Sequence, residues 1–343
     1  MARGERVDTE VLTELIASAD EDVREYAAAL AREVAQEYFG NGVYLRGLVE
    51  ISNRCSRGCY YCGLRAENGG VHRYSLSHDE VAEACAEGYN LGFRSFVLQG
   101  GEMHNIQDDV AILTKRLRNE MPEVALTLSL GEQSYETYRR WREAGADRYL
   151  LRHETATKSH YQRLHPEWMS YDERLECLDN LHALGYQRGA GFMVGSPWQG
   201  AAELATEIDF LSKMRPEMVG IGPFIPQSAT PFAGYERGSV EQTLLMISLV
   251  RLTLPKALIP ATTALASSDE AGTSRGVMAG ANVVMPNLTP RRVRGDYAIY
   301  DGKKSYGSES VEGVEMLAEQ LLRVGYEPRM TRGDHPDFVP TNK

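Results

Sequence analysis

The sequence predicts an α/β chain built on a (β/α)8 TIM-type barrel, and three observations predict it. Short apolar runs alternate with helical patterns along one continuous chain of 343 residues. Eight of those runs, at 43–51, 94–99, 124–130, 147–151, 187–194, 217–222, 258–263 and 282–286, read as strands. Alternation of this kind builds a parallel sheet, and eight repeats close it into a barrel. The blocks richest in chemistry-bearing residues fall at or just beyond the C-terminal ends of these runs, where such barrels carry their active sites.

Residues 8–39 read as one or two helices, because Val11, Leu12, Leu15 and Ile16, then Val23, Tyr26, Ala27, Leu30, Val34 and Tyr38, recur at helical spacing. Gly40-Asn41-Gly42 ends them. Ser77 with Glu80, and Ser170 with Glu173, predict capping boxes at two later helix starts. The stretch after 301 is rich in Gly, Ser and charge, then helical over Val311–Leu322, and reads as a covering appendage. The expected organisation is an N-terminal helical extension over 1–42, a barrel over 43–300 and a C-terminal covering segment over 301–343.

A formal net charge of −11 argues against a nucleic-acid footprint. No uninterrupted apolar run approaches membrane-spanning length, and no signal peptide is visible behind Met1. The cysteines are few and clustered, which fits a reducing compartment. The expectation is a soluble cytoplasmic protein with no nucleic-acid and no membrane partner.

Three of the five cysteines, Cys55, Cys59 and Cys62, fall within the stretch 52–65, just after the first apolar run. An odd cysteine count without secretory features argues against a disulfide. A structural zinc site would want a fourth ligand, and the nearest histidine, His72, lies beyond a loose Glu67-Asn68-Gly69-Gly70 loop. An iron–sulfur cluster held by three thiolates instead keeps one iron open. Gly100-Gly101-Glu102 follows the second strand, where glycines allow close backbone approach; by itself it also reads as an ordinary strand-to-helix turn with a solvated Glu. Strand alternation puts Arg148, Leu150 and Arg152 on one face, and buried arginines need a carboxylate such as Glu154 or an anionic ligand. His153 reads as a packed or hydrogen-bonded histidine. Cys85 and Cys177, inside helices, are assigned no function.

Cys-x3-Cys-x2-Cys with Tyr61 before the last cysteine resembles the signature of radical S-adenosylmethionine (SAM) enzymes. Within that superfamily the chain resembles the HydE family of FeFe-hydrogenase maturases. The blocks that carry the likeness are 62–65, 127–132, 147–155, 218–226, 259–264 and 280–287, and it runs from about Tyr38 to about Tyr300. The resemblance implies a [4Fe–4S] cluster on Cys55, Cys59 and Cys62. It implies SAM held among Tyr61, Gln99, Gly100, Gly101, Glu102, Ser129, Arg152, Glu154 and Arg174, with Arg174 on the methionine carboxylate. It further implies that Arg148, Met218, Thr262, Thr263, Met285, Tyr297 and Tyr300 face substrate; the three-residue spacing of the two tyrosines separately suggests a shared helical face. The implied reaction is attack of a 5′-deoxyadenosyl radical on a cysteine-bound iron dicarbonyl cyanide unit, with the companion maturases HydG and HydF and a one-electron donor as partners.

The chain departs from this pattern in three places. No cysteine follows Cys177, so the auxiliary cluster of some HydE proteins cannot be cysteine-bound here. Met103-His104-Asn105 and Ser196-Pro197-Trp198 are not the residues expected after their strands. The rival expectations are another radical SAM enzyme on the same barrel, such as methylornithine synthase, biotin synthase or a HydE-like protein for a different cofactor. A non-enzymatic iron–sulfur carrier or zinc-binding protein is the rival from another class.

Overall fold

The computed structural model describes residues 6–303 and 311–339. The first expected stave is broken into β1 (Gly42–Leu45) and β2 (Gly47–Ser52) at Arg46. The next strands are β3 (Ser95–Gly100), β4 (Ala125–Ser129), β5 (Arg148–Leu150), β6 (Gln187–Val194), β7 (Met218–Pro223) and β8 (Val283–Val284). A last short strand, β9, covers Glu327–Arg329.

Strands β2 to β7 form one sheet in sequence order, and every pairing is parallel. The expected strand at 258–263 is present only as parallel bridges, Met218 to Leu258 and Ile221 to Ala261. Pro260 then bridges to Val283, β8 pairs with β1, and Asn287 bridges back to Leu48. The ring is therefore closed with eight staves, as the alternation predicts. Pro260 lacks an N–H, which leaves that stave short of a ladder donor. The strands are buried along nearly their whole length, the pattern of a parallel sheet covered by helices.

The N-terminal stretch forms two helices, Thr9–Ser18 and Glu21–Phe39, and Gly40 ends the second at φ 58° with its N–H on the Gln36 carbonyl. Both lie on the outer layer against Ala201–Met214 and Val240–Thr253. Ser77 makes the full reciprocal capping box with Glu80, whereas at Ser170 only the half from the Glu173 N–H forms.

The C-terminal stretch closes the other end of the barrel. After the Val311–Leu322 helix, β9 pairs in parallel with β1. Residues 332–335 then run beneath the strands' N-terminal ends: Asp334 accepts from Gln187 Nε2 at 2.8 Å, and His335 N–H donates to Gln187 Oε1 at 2.8 Å. Part of the expected covering segment, 304–310 and 340–343, lies outside the described residues. Among the described residues no helix is long and apolar enough to cross a membrane.

Candidate active site

The loop that follows β2 carries the three cysteines over the C-terminal end of β3. Ser56 donates from both its N–H (2.8 Å) and its hydroxyl (3.1 Å) to the Glu102 carbonyl, which ties this loop to the Gly-Gly-Glu turn. Gly101 makes that contact possible, and Gly63 lets the loop pack against the stretch around Ala298. A Cβ on Gly101 would lie 2.2 Å from the Arg54 carbonyl oxygen, and one on Gly63 would lie 2.1 Å from that of Ala298.

Burial pushes all three thiols above the ordinary thiol range, Cys62 to about 12, and each is raised further by another member of the trio or by a carboxylate. Cys59 feels both Cys62 and Cys55, and Cys62 feels Cys55, so the thiols lie near one another in the space above the strand ends. A metal in that space replaces the thiol protons, as thiolate ligation requires. Among the described residues no three His, Cys, Asp or Glu side chains gather around one single-ion point. His72 is turned to Asp296, with Nδ1 3.0 Å from Oδ2. The donor set fits a polynuclear cluster on three thiolates.

Beside the trio lies a four-charge network. Glu102, 5% exposed, accepts from Arg57 Nε and from the Glu132 N–H at 2.7 Å. Glu132 accepts from Arg57 Nη2 at 2.7 Å and is also bound to Arg174 Nε. Burial pushes the Glu102 carboxyl up, against the pull of Arg57. Burial opposes the Arg174 charge too, yet Glu132 and neighbouring phenols and thiol hold its pKa above the ordinary value. Arg174 also donates to the Arg152 carbonyl at 3.0 Å. Neither Arg57 nor Glu132 was expected from the sequence, although Arg57 sits inside the cysteine motif and Glu132 follows Gly131 in a conspicuous block.

The turn after β5 presents Arg152 and Glu154, whose nearest charged atoms are 3.2 Å apart. Arg152 Nε and Nη2 and Glu154 Oε2 are buried without any hydrogen bond. Buried polar atoms are almost always satisfied; here Nη2 and Oε2 face each other as an ion pair without hydrogen-bond geometry, and Nε has no hydrogen bond. Glu154 is held at φ 67°, a conformation unusual for a residue with a side chain. Its support is a fully buried pair, His153 Nε2 to Glu207 Oε2 at 2.7 Å; Glu207 Oε1 also accepts from the Ala156 N–H at 2.7 Å. His153 is thus a hydrogen-bonded core histidine, as expected, and Glu207 is a supporting residue the sequence did not flag.

Tyr61 places its hydroxyl 3.2 Å from His165 Nε2 and packs edge-on to that ring. Burial and then Arg174 push His165 down to about 3, so the imidazole is neutral. Gln99, Gly100 and Ser129 end β3 and β4 on this same rim. Gln99 Nε2 donates to Tyr297 Oη at 3.2 Å. Thr262 donates to the Ile221 carbonyl at 3.0 Å over Gly222, where a Cβ would lie 2.7 Å from its hydroxyl; Thr263 opens the next helix.

Three placements correct the expectations. Arg148 starts β5 and points to the opposite end of the barrel, where it is ion-paired with Asp334 at 2.7 Å and donates to Ser95 Oγ at 3.0 Å. Met218 likewise starts β7, in one apolar cluster with Leu258, Val283 and Met285 and beside Arg46, so these two methionines line the deep end rather than the rim. Strand alternation fixes which side a residue faces and leaves its depth open. Tyr297 and Tyr300 share no helical face, because the helix before them ends at Arg294. Cys85 and Cys177 are buried in helices, as expected.

A family model of the radical SAM superfamily matches residues 49–211. The "[FeFe] hydrogenase maturase subunit HydE" of Thermotoga maritima is 39% identical over 320 residues, covering 93% of this chain and 91% of the relative. A 3-methylornithine synthase of Methanosarcina acetivorans is 28% identical over 95% of this chain and 91% of its own length. Among solved structures, methylornithine synthase (PylB) superposes with a TM-score of 0.82 at 26% identity, covering 95% of both chains. The maturase HydG of Carboxydothermus hydrogenoformans superposes with a TM-score of 0.79 at 20% identity over 95% of this chain and 77% of its own, a likeness of fold.

Proposed function

The chain belongs to the radical SAM superfamily and, within it, to the HydE family of hydrogenase maturases, and from that premise we propose that it acts on a cysteine-bound iron dicarbonyl cyanide unit during assembly of the FeFe-hydrogenase cofactor. The observation that carries the reading is the convergence of the cysteine loop, Glu102, Arg174 and the buried Arg152–Glu154 pair on one rim.

Cys55, Cys59 and Cys62 would hold a [4Fe–4S] cluster with one open iron. When bound, a cluster reduced by an external one-electron donor would, with SAM, supply a 5′-deoxyadenosyl radical and leave methionine, chemistry that belongs to the cofactors. The chain supplies binding and dryness. Glu102 would take the SAM amine in place of Arg57, and Arg174 would take the methionine carboxylate as a planar bidentate donor. Glu154 and Arg152 would satisfy their open positions on SAM. Ser129, Gly100, Gly101 and Tyr61 would shape the walls around it. Tyr297, Tyr300, Thr262 and Thr263 would border the substrate, with Met218 and Met285 beneath it. We assign no substrate contact to Arg148.

HydG and HydF are the companion maturases this reading calls for, with a one-electron donor, in a reducing cytoplasm. The test is stimulation. A synthetic cysteine-bound iron dicarbonyl cyanide complex should accelerate 5′-deoxyadenosine formation by the cluster-loaded protein and be consumed in step with it. No acceleration at saturating complex would overturn the substrate assignment.

A further inference from the structure

Glu50 and Lys303 form a buried charge pair that none of these roles uses. Glu50 is in register with Gln99, and Gln99 with Ser129, so the three side chains point to the same side of the sheet, into the barrel. The Glu50 side chain is fully buried: Oε1 accepts from Lys303 Nζ at 2.5 Å and Oε2 from Asn287 Nδ2 at 3.2 Å. Lys303 is 8% exposed at its side chain, and its ammonium lies 5.1 Å from the centre of the Tyr297 ring. Tyr297 in turn holds Gln99, so the pair borders the rim from the substrate side.

Burying two opposite charges sacrifices about as much hydration as their attraction returns, so an isolated pair of this kind contributes little to folding. Nor does strand β2 need the carboxylate for its position. The Glu50 backbone is already fixed, its N–H by Thr289 Oγ1 at 2.8 Å and its carbonyl by Tyr74 Oη at 2.9 Å. What remains is one carboxylate and one ammonium, adjacent and shielded from water, among the residues assigned to substrate. That is the complement of a zwitterion.

We propose that Glu50 and Lys303 read the α-amino-acid part of the substrate, Glu50 binding its ammonium and Lys303 its carboxylate. Each charge exchanges one partner for another of the same sign, so binding leaves no unpaired charge in the barrel. Asn287 keeps its hydrogen bond to the second Glu50 oxygen and so holds the carboxylate in place. The inference rests on the cysteine-bound reading of the substrate and deepens it: the metal unit is selected through the amino acid that carries it.

The test uses the full-length, cluster-loaded protein with SAM, reductant and three synthetic probes. The same iron dicarbonyl cyanide unit is carried on L-cysteine, on cysteamine, which lacks the carboxylate, or on 3-mercaptopropionate, which lacks the amine. The wild type should prefer the cysteine probe in kcat/KM by ~100-fold over either analogue, because buried polar groups built for a ligand reject one that leaves them unpaired. Lys303→Met should lose the preference over cysteamine alone, Glu50→Gln the preference over 3-mercaptopropionate alone, and Lys303→Arg should retain both. A wild type that responds to the probes without discriminating among them overturns the inference, whatever the variants do. So do variants that lower all three probes equally, the behaviour of a purely structural strap. A wild type unresponsive to every probe fails earlier, at the substrate reading itself.

Discussion

Asp334→Asn removes the carboxylate that, among the described residues, is ion-paired with the fully buried Arg148, and the structure sets the size of the effect. Asp334 meets Arg148 Nη2 at 2.7 Å, Arg332 Nε at 2.8 Å and Gln187 Nε2 at 2.8 Å. Burial alone would raise this carboxyl, yet Arg148 and then its other partners hold it at about 2 against an ordinary 3.8. At about 1.4 kcal/mol per unit, that depression corresponds to roughly 2.5 kcal/mol of folded-state stabilisation. The side chain is 16% exposed, so solvent screening removes little of it. A depressed carboxyl stabilises above its unfolded pKa and loses the contribution as pH falls through the folded value. The substitution also strands a buried guanidinium, which brings the expected loss at neutral pH to roughly 3–5 kcal/mol. Anaerobic urea unfolding reads this directly. The difference from wild type should begin to narrow below about pH 4, where the unfolded chain's Asp334 takes up its proton, and its charge-dependent part should be lost only as pH falls through about 2, where the folded carboxyl does so too. The double change Arg148→Met with Asp334→Leu should restore most of the stability, since an apolar pair of similar volume replaces a buried ion pair at little net loss. SAM kinetics of folded Asp334→Asn should match wild type. A stability change within about 0.5 kcal/mol would refute the energetic argument, and a selective rise in KM for SAM would return Arg148's end of the barrel to the chemistry.

Other substitutions probe the rim. Glu132→Gln should loosen both Arg57 and Arg174 and raise the KM for SAM by about tenfold with less effect on iron loading, checked by 5′-deoxyadenosine kinetics beside iron content. Gly101→Ala should displace the cysteine loop, because its Cβ would stand 2.2 Å from the Arg54 carbonyl; iron and sulfide analysis after reconstitution should find fewer clusters per chain. Glu207→Ala strands His153 and the Ala156 N–H, which should lower stability by about 1–3 kcal/mol. It should also weaken SAM binding through the Glu154 turn, measured by unfolding and by isothermal titration.

The eight staves were legible because parallel strands buried on both faces write themselves as continuous apolar runs. The stave at 258–263 was legible as a pattern even though its ladder is reduced to bridges around Pro260. The cysteine loop, the Gly-Gly-Glu turn and the Arg152–Glu154 pair were legible because each follows a strand's C-terminal end. Depth was not. Arg148 and Arg152 share a face by alternation, yet only the latter reaches the rim, and the partner that claims Arg148 arrives from Asp334, far along the chain. Long-range pairings of that sort also hid Glu132, Glu207 and Lys303. Glu50 left one signal: it is the only acidic residue in the otherwise largely apolar run 43–51.

The most direct test of the account is release of 5′-deoxyadenosine under anaerobic conditions. The protein is reconstituted with iron and sulfide, reduced with dithionite and given SAM, beside a Cys59→Ala control. The account predicts release by the wild type and none above background by the control, whose cluster lacks a ligand. A fully loaded wild-type cluster that releases no 5′-deoxyadenosine and shows no spectral response to SAM would contradict it.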